Sequence, residues 1–323
     1  MRPYSLRFSL CIIPLLLLVG CGSGSDLPET DTAPTIAVIP KGTMHEYWKS
    51  VHTGALQAAK EHGVDIIWKG PLKEDDREEQ IQLVETFIAA KVDAVVLAPL
   101  DDRALMMPVR EAGKAGIPTV IIDSALSGNG HVSFVATDNY KGGCMAAELV
   151  GELLAGKGKC IVLRYQEGSA SNTKREDGFI ATIANQFPGI TMLSDNQYAG
   201  VTTESAYRAS ENILNRFHDV DAVFAPNEAV TFGVLRALQE RGLAGKVILV
   251  GFDSSERLVN ALESNELHGL VLQDPVKIGY LGVASAAAHL RGENIEKRID
   301  TGVVIVTRNN MHNPEIEKLL HPE

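Results

Sequence analysis

The amino-acid sequence predicts an α/β protein of two lobes with parallel sheets, joined by a hinge of several strands. Two observations support this prediction. Short apolar runs alternate with amphipathic stretches from residue 35 onward, and the alternation divides into two similar halves. Near-continuous runs of Val, Ile, Leu and Ala are typical of parallel strands buried on both faces. Regular alternation of strand and helix is typical of parallel sheets with helices on both sides.

Nine apolar runs are the predicted strands, and the stretches between them carry apolar residues at three- and four-residue steps. The spacing of Trp48, Val51 and Ala55, for example, predicts an amphipathic helix. Glycines and prolines mark the ends of these stretches, as at Gly63 and Pro118. The predicted strands lie at 35–40, 64–68, 94–98, 118–122, 132–136, 160–163, 222–225, 247–250 and 270–272.

The two halves of the pattern predict which parts of the chain form each lobe. One half spans about 35–135 and the other 136–273, while a helix at 276–290 and a strand-like segment at 302–307 lie outside both. A chain built in this way crosses between the lobes more than once. We therefore expect an N-terminal lobe of residues 35–137 and 274–303, and a C-terminal lobe of residues 138–273 and 304–323.

The first twenty residues have the layout of a secretory signal. Arg2 and Arg7 precede an apolar stretch at 8–19, which is too short for a comfortable membrane-spanning helix. The sequence Leu-Val-Gly-Cys at 18–21 resembles the lipobox of bacterial lipoproteins, which implies cleavage before Cys21 and a diacylglycerol on its thiol. Residues 22–34 are small and polar, which predicts a flexible tether. An uncleaved anchor helix and a plain signal peptide are the alternatives.

Composition narrows the class of protein further. The chain has 30 basic and 41 acidic residues and a net charge of -11, which argues against a nucleic-acid-binding surface. The sequence has neither zinc-ligand spacing nor a phosphate-binding loop, so we expect no metal and no cofactor. Cys144 and Cys160 are interpreted as small buried residues, with a disulfide between them as the alternative. The acidic run at 74–79 is interpreted as the solvated start of a helix.

Ligands of open α/β sheets bind outside the carboxyl ends of the strands, so the residues that follow each strand are candidates for a site. Aromatic, carboxylate, amide and cationic side chains from both halves occur there. Carboxylates accept hydrogen bonds from hydroxyl groups, amides donate and accept, and aromatic rings offer flat faces to a sugar ring. Each residue alone is explained as a helix cap or a solvated loop residue. Their joint occurrence predicts a site for a polyol.

Four segments resemble the periplasmic sugar-binding proteins of the ribose-binding type. They lie at 137–143, 168–172, 224–228 (Phe-Ala-Pro-Asn-Glu) and 250–253 (Val-Gly-Phe-Asp), and the resemblance covers nearly the whole chain after the tether. It implies the fold of type I periplasmic binding proteins: two Rossmann-like lobes, a three-stranded hinge, and a sugar held in the cleft when the hinge closes. It also implies delivery of the sugar to the permease subunits of an ABC importer.

The resemblance transfers a set of sugar-binding positions to this chain, with departures at three of them. Ser124 stands where the ribose binders have an arginine, and Thr173, next to Lys174 and Arg175, stands at a second arginine position. Lys41 replaces a smaller polar residue. These departures do not favour ribose, and both neutral and acidic sugars remain open. The expected ligand-binding residues are Lys41, His45, Tyr47, Trp48, Asp123, Ser124, Thr173, Arg175, Asn227, Asp253 and Gln273.

These observations predict a lipid-anchored, monomeric solute receptor on the extracytoplasmic side of a membrane, which presents a small sugar or polyol to an ABC importer. A sensor that presents the sugar to a membrane receptor or kinase would need the same binding chemistry. A regulator of the LacI type shares the fold but needs an N-terminal helix-turn-helix, and a signal and tether occupy that place here. A glycosidase that uses Asp123 and Asp253 as its carboxylate pair is the enzymatic alternative.

Overall fold

The computed structural model describes Met1, residues 3–5 and residues 33–322, so the predicted signal cleavage site, Cys21 and the tether up to residue 32 lie outside the described residues. The strands are β1 (Thr35–Ile39), β2 (Asp65–Trp68), β3 (Ala94–Leu97), β4 (Thr119–Ile122), β5 (Ser133–Ala136), β6 (Gly158–Arg164), β7 (Ile190–Tyr198), β8 (Ala222–Phe224), β9 (Ile248–Phe252), β10 (Gly269–Leu272), β11 (Arg298–Asp300) and β12 (Val304–Val306). The helices are α1 (Glu46–His62), α2 (Arg77–Ala90), α3 (Met106–Lys114), α4 (Asn139–Leu153), α5 (Ala170–Gln186), α6 (Thr203–Arg216), α7 (Glu228–Glu240), α8 (Glu256–Glu263), α9 (Pro275–Leu290) and α10 (Pro314–Leu320).

The strands form two six-stranded sheets of matching design. Their orders are β11-β5-β4-β3-β1-β2 and β12-β10-β9-β8-β6-β7. Every pair of neighbouring strands is parallel except β10 and β12. The predicted class, an α/β protein of two lobes with parallel sheets, is confirmed. We refer to each sheet and the helices packed on it as the N-terminal and the C-terminal lobe.

Two strands have no counterpart in the sequence prediction. β7 is a half-exposed strand at the edge of its sheet, and β11 has three residues, of which two are exposed. The sequence prediction rests on continuous apolar runs, which are typical of strands buried on both faces. An edge strand that faces water carries polar residues instead. Both strands therefore escape a search for buried apolar runs.

The chain crosses between the sheets three times: after β5, after β10, and between β11 and β12. One residue of each crossing belongs to a common hydrogen-bonded group. Thr137 Oγ1 donates to Gln273 Oε1 over 3.0 Å, and the hydroxyl groups of Thr137 and Thr301 lie 3.3 Å apart. The crossings thus lie side by side, as a hinge requires. The lobe boundaries at 137/138, 273/274 and 303/304 stay a prediction of how the chain divides into moving bodies.

Glycine allows one helix pair in each lobe to pack with backbones in contact. A Cβ atom on Gly279 of α9 would lie 1.9 Å from the Val51 carbonyl oxygen of α1, and a Cβ on Gly143 of α4 would lie 1.9 Å from the Arg175 carbonyl oxygen of α5. The contact with α1 also places α9 in the N-terminal lobe. Because α1 and α5 begin at the cleft between the lobes, this packing fixes the positions of site residues.

Both predicted core cysteines are free thiols, Cys160 buried in β6 and Cys144 half-buried in α4. The structure therefore supports the interpretation without a disulfide. Among the described residues, no helix is both long enough and apolar enough to span a bilayer.

Candidate ligand-binding site

Two buried carboxylates occupy equivalent positions in the two lobes. Asp123 directly follows β4 and Asp253 directly follows β9, and their exposed fractions are 3% and 7%. Their φ angles are 62° and 67°, in the left-handed region that residues other than glycine seldom adopt. Backbone strain of this kind persists where the surrounding structure holds it, and it clusters at ligand sites. The left-handed turn brings each carboxylate to the carboxyl edge of its sheet, where the two sheets face each other.

Asp123 is the centre of a polar group on the N-terminal side of the cleft. Its Oδ2 lies 2.6 Å from Lys41 Nζ, and its Oδ1 accepts a hydrogen bond from Tyr47 OH over 2.9 Å. Lys41 Nζ also donates to Ser171 Oγ of the C-terminal lobe over 2.9 Å. Burial, reinforced by the negative charge of Asp123, raises the pKa of the Tyr47 phenol well above its ordinary value. Tyr47 therefore stays a neutral hydrogen-bond donor.

Asp253 and Arg175 form the matching group on the C-terminal side. Gln273 Nε2 donates to Asp253 Oδ1 over 2.7 Å, and Arg175 Nη1 lies 3.8 Å from Asp253 Oδ2. The Arg175 guanidinium lies 3.7 Å from the centre of the Phe252 ring and donates to Asn139 Oδ1 over 2.7 Å. Burial raises the pKa of Asp253, while Arg175 opposes that shift. The arginine is thus held rigidly, with its planar face on an aromatic ring.

Trp48 holds Glu74, the first residue of the acidic run at 74–79, in a buried position. Trp48 Nε1 donates to Glu74 Oε1 over 2.7 Å, and the indole meets the Tyr47 ring edge-on with centroids 5.0 Å apart. Glu74 is only 8% exposed, so its assignment to a solvated helix start is wrong. Helix α2 begins at Arg77 with Asp76 as its cap, and Glu74 lies before it in the loop that turns into the cleft.

Most of the predicted site residues line one cavity between the lobes. Ser124 and Thr173 do not line it: Ser124 is fully buried, and its Oγ accepts a hydrogen bond from Ser171 N over 3.1 Å. The arginine of this region that reaches the cavity is Arg175. The predicted residues on the lining are Lys41, His45, Tyr47, Trp48, Asp123, Arg175, Asn227, Asp253 and Gln273.

Four further residues line the cavity but were absent from the predicted set: Glu74, Ser171, Asn172 and Glu228. Ser171 and Asn172 belong to a segment that carried the family resemblance, and Glu228 directly follows Asn227, so position after a strand was the signal available. Burial raises the pKa of Glu228 to about 7, and its buried Oε2 has no hydrogen-bond partner among the described residues. This oxygen is therefore ready to accept a hydrogen bond from a ligand.

The cavity is small and adjoins a larger one. The smaller cavity measures about 30 Å³ and the larger about 700 Å³, and the two share His45, Tyr47, Glu228, Asp253 and Gln273. A water molecule needs about 10–15 Å³ by such a measure. The smaller cavity therefore has room for about two or three waters, which is less than a monosaccharide needs.

Two lobes, three crossings and a polar and aromatic cavity between the sheets define a class: solute-binding proteins that enclose a small molecule between two lobes. Residues 36–294 match the family described as "Periplasmic binding protein domain", and the chain belongs to this family.

Relatives and solved structures agree with this assignment. The ribose import binding protein of Bacillus subtilis is 27% identical over 274 residues, covering 85% of this chain and 87% of that protein. The D-apiose import binding protein of Paraburkholderia graminis is 31% identical, covering 84% of this chain and 82% of that protein. A carbohydrate transporter solute-binding protein from Agrobacterium radiobacter, solved with D-arabinose, superposes with a TM-score of 0.86 at 33% identity and covers 90% of this chain and 99% of that chain. The predicted resemblance to ribose-type sugar binders is confirmed, and these relatives are binding proteins rather than enzymes.

Proposed function

We propose that this protein binds a neutral monosaccharide or related polyol between its lobes and delivers it to the permease subunits of an ABC importer. The observation that carries the proposal is the pairing of charges in the cleft, Lys41 with Asp123 and Arg175 with Asp253. Each pair presents donors and acceptors at short distance while adding no net charge, which suits hydroxyl groups. The names of relatives, which include ribose, D-apiose and D-arabinose, support a sugar of this size.

The same pairing favours neutral sugars over sugar acids. Lys41 and Arg175, the cations at the cavity, each face a carboxylate, and Lys174 is exposed. Glu74 and Glu228 add carboxyl groups to the lining, and neither forms a salt bridge within residues 33–322. An added carboxylate on the ligand would therefore face the carboxyl groups of the lining while Lys41 and Arg175 are already paired, which costs free energy in a buried site.

Binding exchanges hydrogen bonds within the protein for hydrogen bonds to the sugar. Lys41 bridges Asp123 and Ser171 across the cleft, so a sugar that enters there replaces a contact between lobes with contacts to both. A ligand that touches both lobes stabilises the closed arrangement by its differential affinity. The aromatic faces of Tyr47 and Trp48 supply apolar contact to the C–H side of the ring.

Isothermal titration calorimetry with matched sugars tests this proposal. The panel pairs D-galactose with D-galacturonate and D-glucose with D-glucuronate, and adds D-ribose, D-allose, D-arabinose and myo-inositol. We expect at least one neutral compound to bind, and each neutral sugar to bind at least as tightly as its acid. Tighter binding of an acid would contradict neutrality, and a folded protein that binds none of the panel would contradict sugar binding.

We further propose that the protein is a monomeric lipoprotein, anchored on the extracytoplasmic side through a diacylglycerol on Cys21. The support is the Leu-Val-Gly-Cys sequence at 18–21 and the short polar segment at 22–34. Intact mass spectrometry of protein from a bacterial envelope should show a chain that begins at Cys21 with acyl chains attached. Detection of a chain without acyl groups would contradict the anchor. In detergent phase separation, wild type should enter the detergent phase and Cys21→Ala the aqueous phase, and recovery of both in the aqueous phase would also contradict the anchor.

A further inference from the structure

The two lobes contact each other at a second place besides the sugar cavity. Tyr165, directly after β6 of the C-terminal lobe, donates its hydroxyl proton to Glu74 Oε2 of the N-terminal lobe over 2.9 Å. The next residue, Gln166, donates from Nε2 to the carbonyl oxygen of Glu74 over 2.7 Å. Tyr165 is 1% exposed, so its hydroxyl group has exchanged water for Glu74.

Two further hydrogen bonds between the lobes lie beside the first two. Arg77 Nη2 donates to the carbonyl oxygen of Glu167 over 3.1 Å, and the Asp102 N–H donates to the carbonyl oxygen of Gly168 over 3.0 Å. A Cβ atom on Gly168 would lie 2.3 Å from Asp101 Oδ2, so the lobes touch as closely here as a glycine allows. We call Glu74, Arg77, Asp102 and residues 165–168 the interlobe clasp.

The clasp joins the lobes through direct hydrogen bonds between protein groups. Among its members, only Glu74 lines the sugar cavity. The two carboxylate oxygens of Glu74 are divided between the lobes, since Oε1 accepts from Trp48 and Oε2 from Tyr165. The indole of Trp48 is therefore tied, through one buried carboxylate, to the loop of the opposite lobe.

We propose that the interlobe clasp holds a substantial fraction of the sugar-free protein closed. This inference goes beyond the proposed function. Only the expected effect of the clasp on sugar affinity rests on the proposed function. The apparent dissociation constant of a ligand that binds the closed form is its intrinsic constant divided by the closed fraction. A weaker clasp therefore weakens binding without any change in a sugar contact.

Tyr165→Phe removes one hydroxyl group and leaves the ring. Losing a buried hydrogen bond to a charged group shifts a two-state equilibrium by roughly tenfold or more toward the open form. Tyr280→Phe is the matched control, because Tyr280 OH donates to Glu61 Oε2 over 2.6 Å within the N-terminal lobe. Both variants lose a tyrosine–glutamate hydrogen bond, but only one of these bonds crosses between the lobes.

The measurement uses sugar-free protein, so it does not depend on the identity of the ligand. Small-angle X-ray scattering reports the radius of gyration, and hydrogen exchange at the Asp102 amide reports the bond between Asp102 and Gly168. We expect Tyr165→Phe to increase the radius of gyration and to accelerate exchange at Asp102, with the roughly tenfold shift in the ratio of open to closed protein as the upper limit of the acceleration. Tyr280→Phe should leave both unchanged.

Equal values for Tyr165→Phe and wild type would overturn the proposal, as would equal effects of the two variants. Gln166→Ala provides a second test if Tyr165→Phe does not fold, because Gln166 is half-exposed and its side chain contributes one of the four bonds. Gln166→Ala should increase the exchange rate at Asp102, and an unchanged rate would refute the clasp. Failure to bind any sugar would contradict the proposed function but would leave these two readouts unaffected.

Discussion

Asp253→Asn separates sugar binding from stability, because the substitution removes a charge and keeps the shape of the side chain. Gln273 Nε2 donates to Oδ1, whereas Arg175 Nη1 lies 3.8 Å from Oδ2, which is beyond hydrogen-bond distance. We therefore expect Oδ2 to be the oxygen that accepts a hydrogen bond from a sugar hydroxyl group. An amide in its place offers at most one uncharged acceptor, and Arg175 loses its facing negative charge.

The expected cost in affinity follows from the loss of one hydrogen bond to a charged group. Such a bond is worth about 1.5–3 kcal/mol, and about 1.4 kcal/mol corresponds to a factor of ten. The dissociation constant should therefore rise by about 10- to 150-fold. Burial raises the pKa of Asp253, which means that the ionised carboxylate is disfavoured in the folded protein. Replacing it with a neutral amide should therefore cost less in the free energy of unfolding than in the free energy of sugar binding.

Titration calorimetry with the tightest sugar of the panel, together with urea unfolding, measures both quantities. Asp219→Asn is the matched control, because Asp219 is exposed and pairs with Lys159 at the surface. Exposed pairs of this kind contribute little, so the control should bind within about twofold of wild type. A dissociation constant of Asp253→Asn within twofold of wild type would refute the assignment of Asp253 as a ligand contact.

Three further substitutions test the packing and electrostatics of the lobes. Lys41→Met leaves Asp123 buried without its cation and should reduce the free energy of unfolding in urea by about 3–5 kcal/mol. Adding Asp123→Leu should restore a large part of this loss. A loss under about 1 kcal/mol in Lys41→Met would contradict the buried pair. Gly279→Ala should lower the melting temperature by several degrees because the added Cβ collides with α1. Gly113→Ala in α3 should raise the melting temperature slightly, because a Cβ there meets open space. Equal shifts in the two variants would argue against close packing of α1 and α9. Burial raises the pKa of Glu176 from 4.5 to about 7, so the folded protein keeps a proton that the unfolded chain has released, and stability falls as the pH rises through this window by about 3 kcal/mol. Glu176→Gln should lack this fall, and parallel stability curves for variant and wild type from pH 4.5 to 7 would contradict the shift.

The fold was predictable because its buried strands consist of continuous apolar runs in the sequence. β3 and β4 are buried at every position and match the predicted runs closely. β7 was missed because an edge strand that faces water carries polar residues such as Asn196 and Gln197. A local pattern describes the face that a strand buries, and β7 buries little of its surface.

The site was predictable where function coincides with position after a strand, as at Asp123 and Asp253. Glu74 could not be found in this way, because it lies in an acidic run that is typical of a solvated helix start. Its burial depends on Trp48 and on Tyr165 of the other lobe, which are remote in sequence. Contacts between lobes are properties of the closed arrangement, and no single stretch of sequence encodes them.

The central claim is that a neutral sugar binds between the lobes on the two paired groups. A crystal structure of the protein with the tightest neutral sugar from the calorimetric panel tests this most directly. We expect the sugar ring between Asp123 with Lys41 on one side and Asp253 with Arg175 on the other, with hydroxyl groups hydrogen-bonded to both carboxylates. A sugar bound outside the cleft, or one that contacts a single lobe and neither carboxylate, would contradict the account.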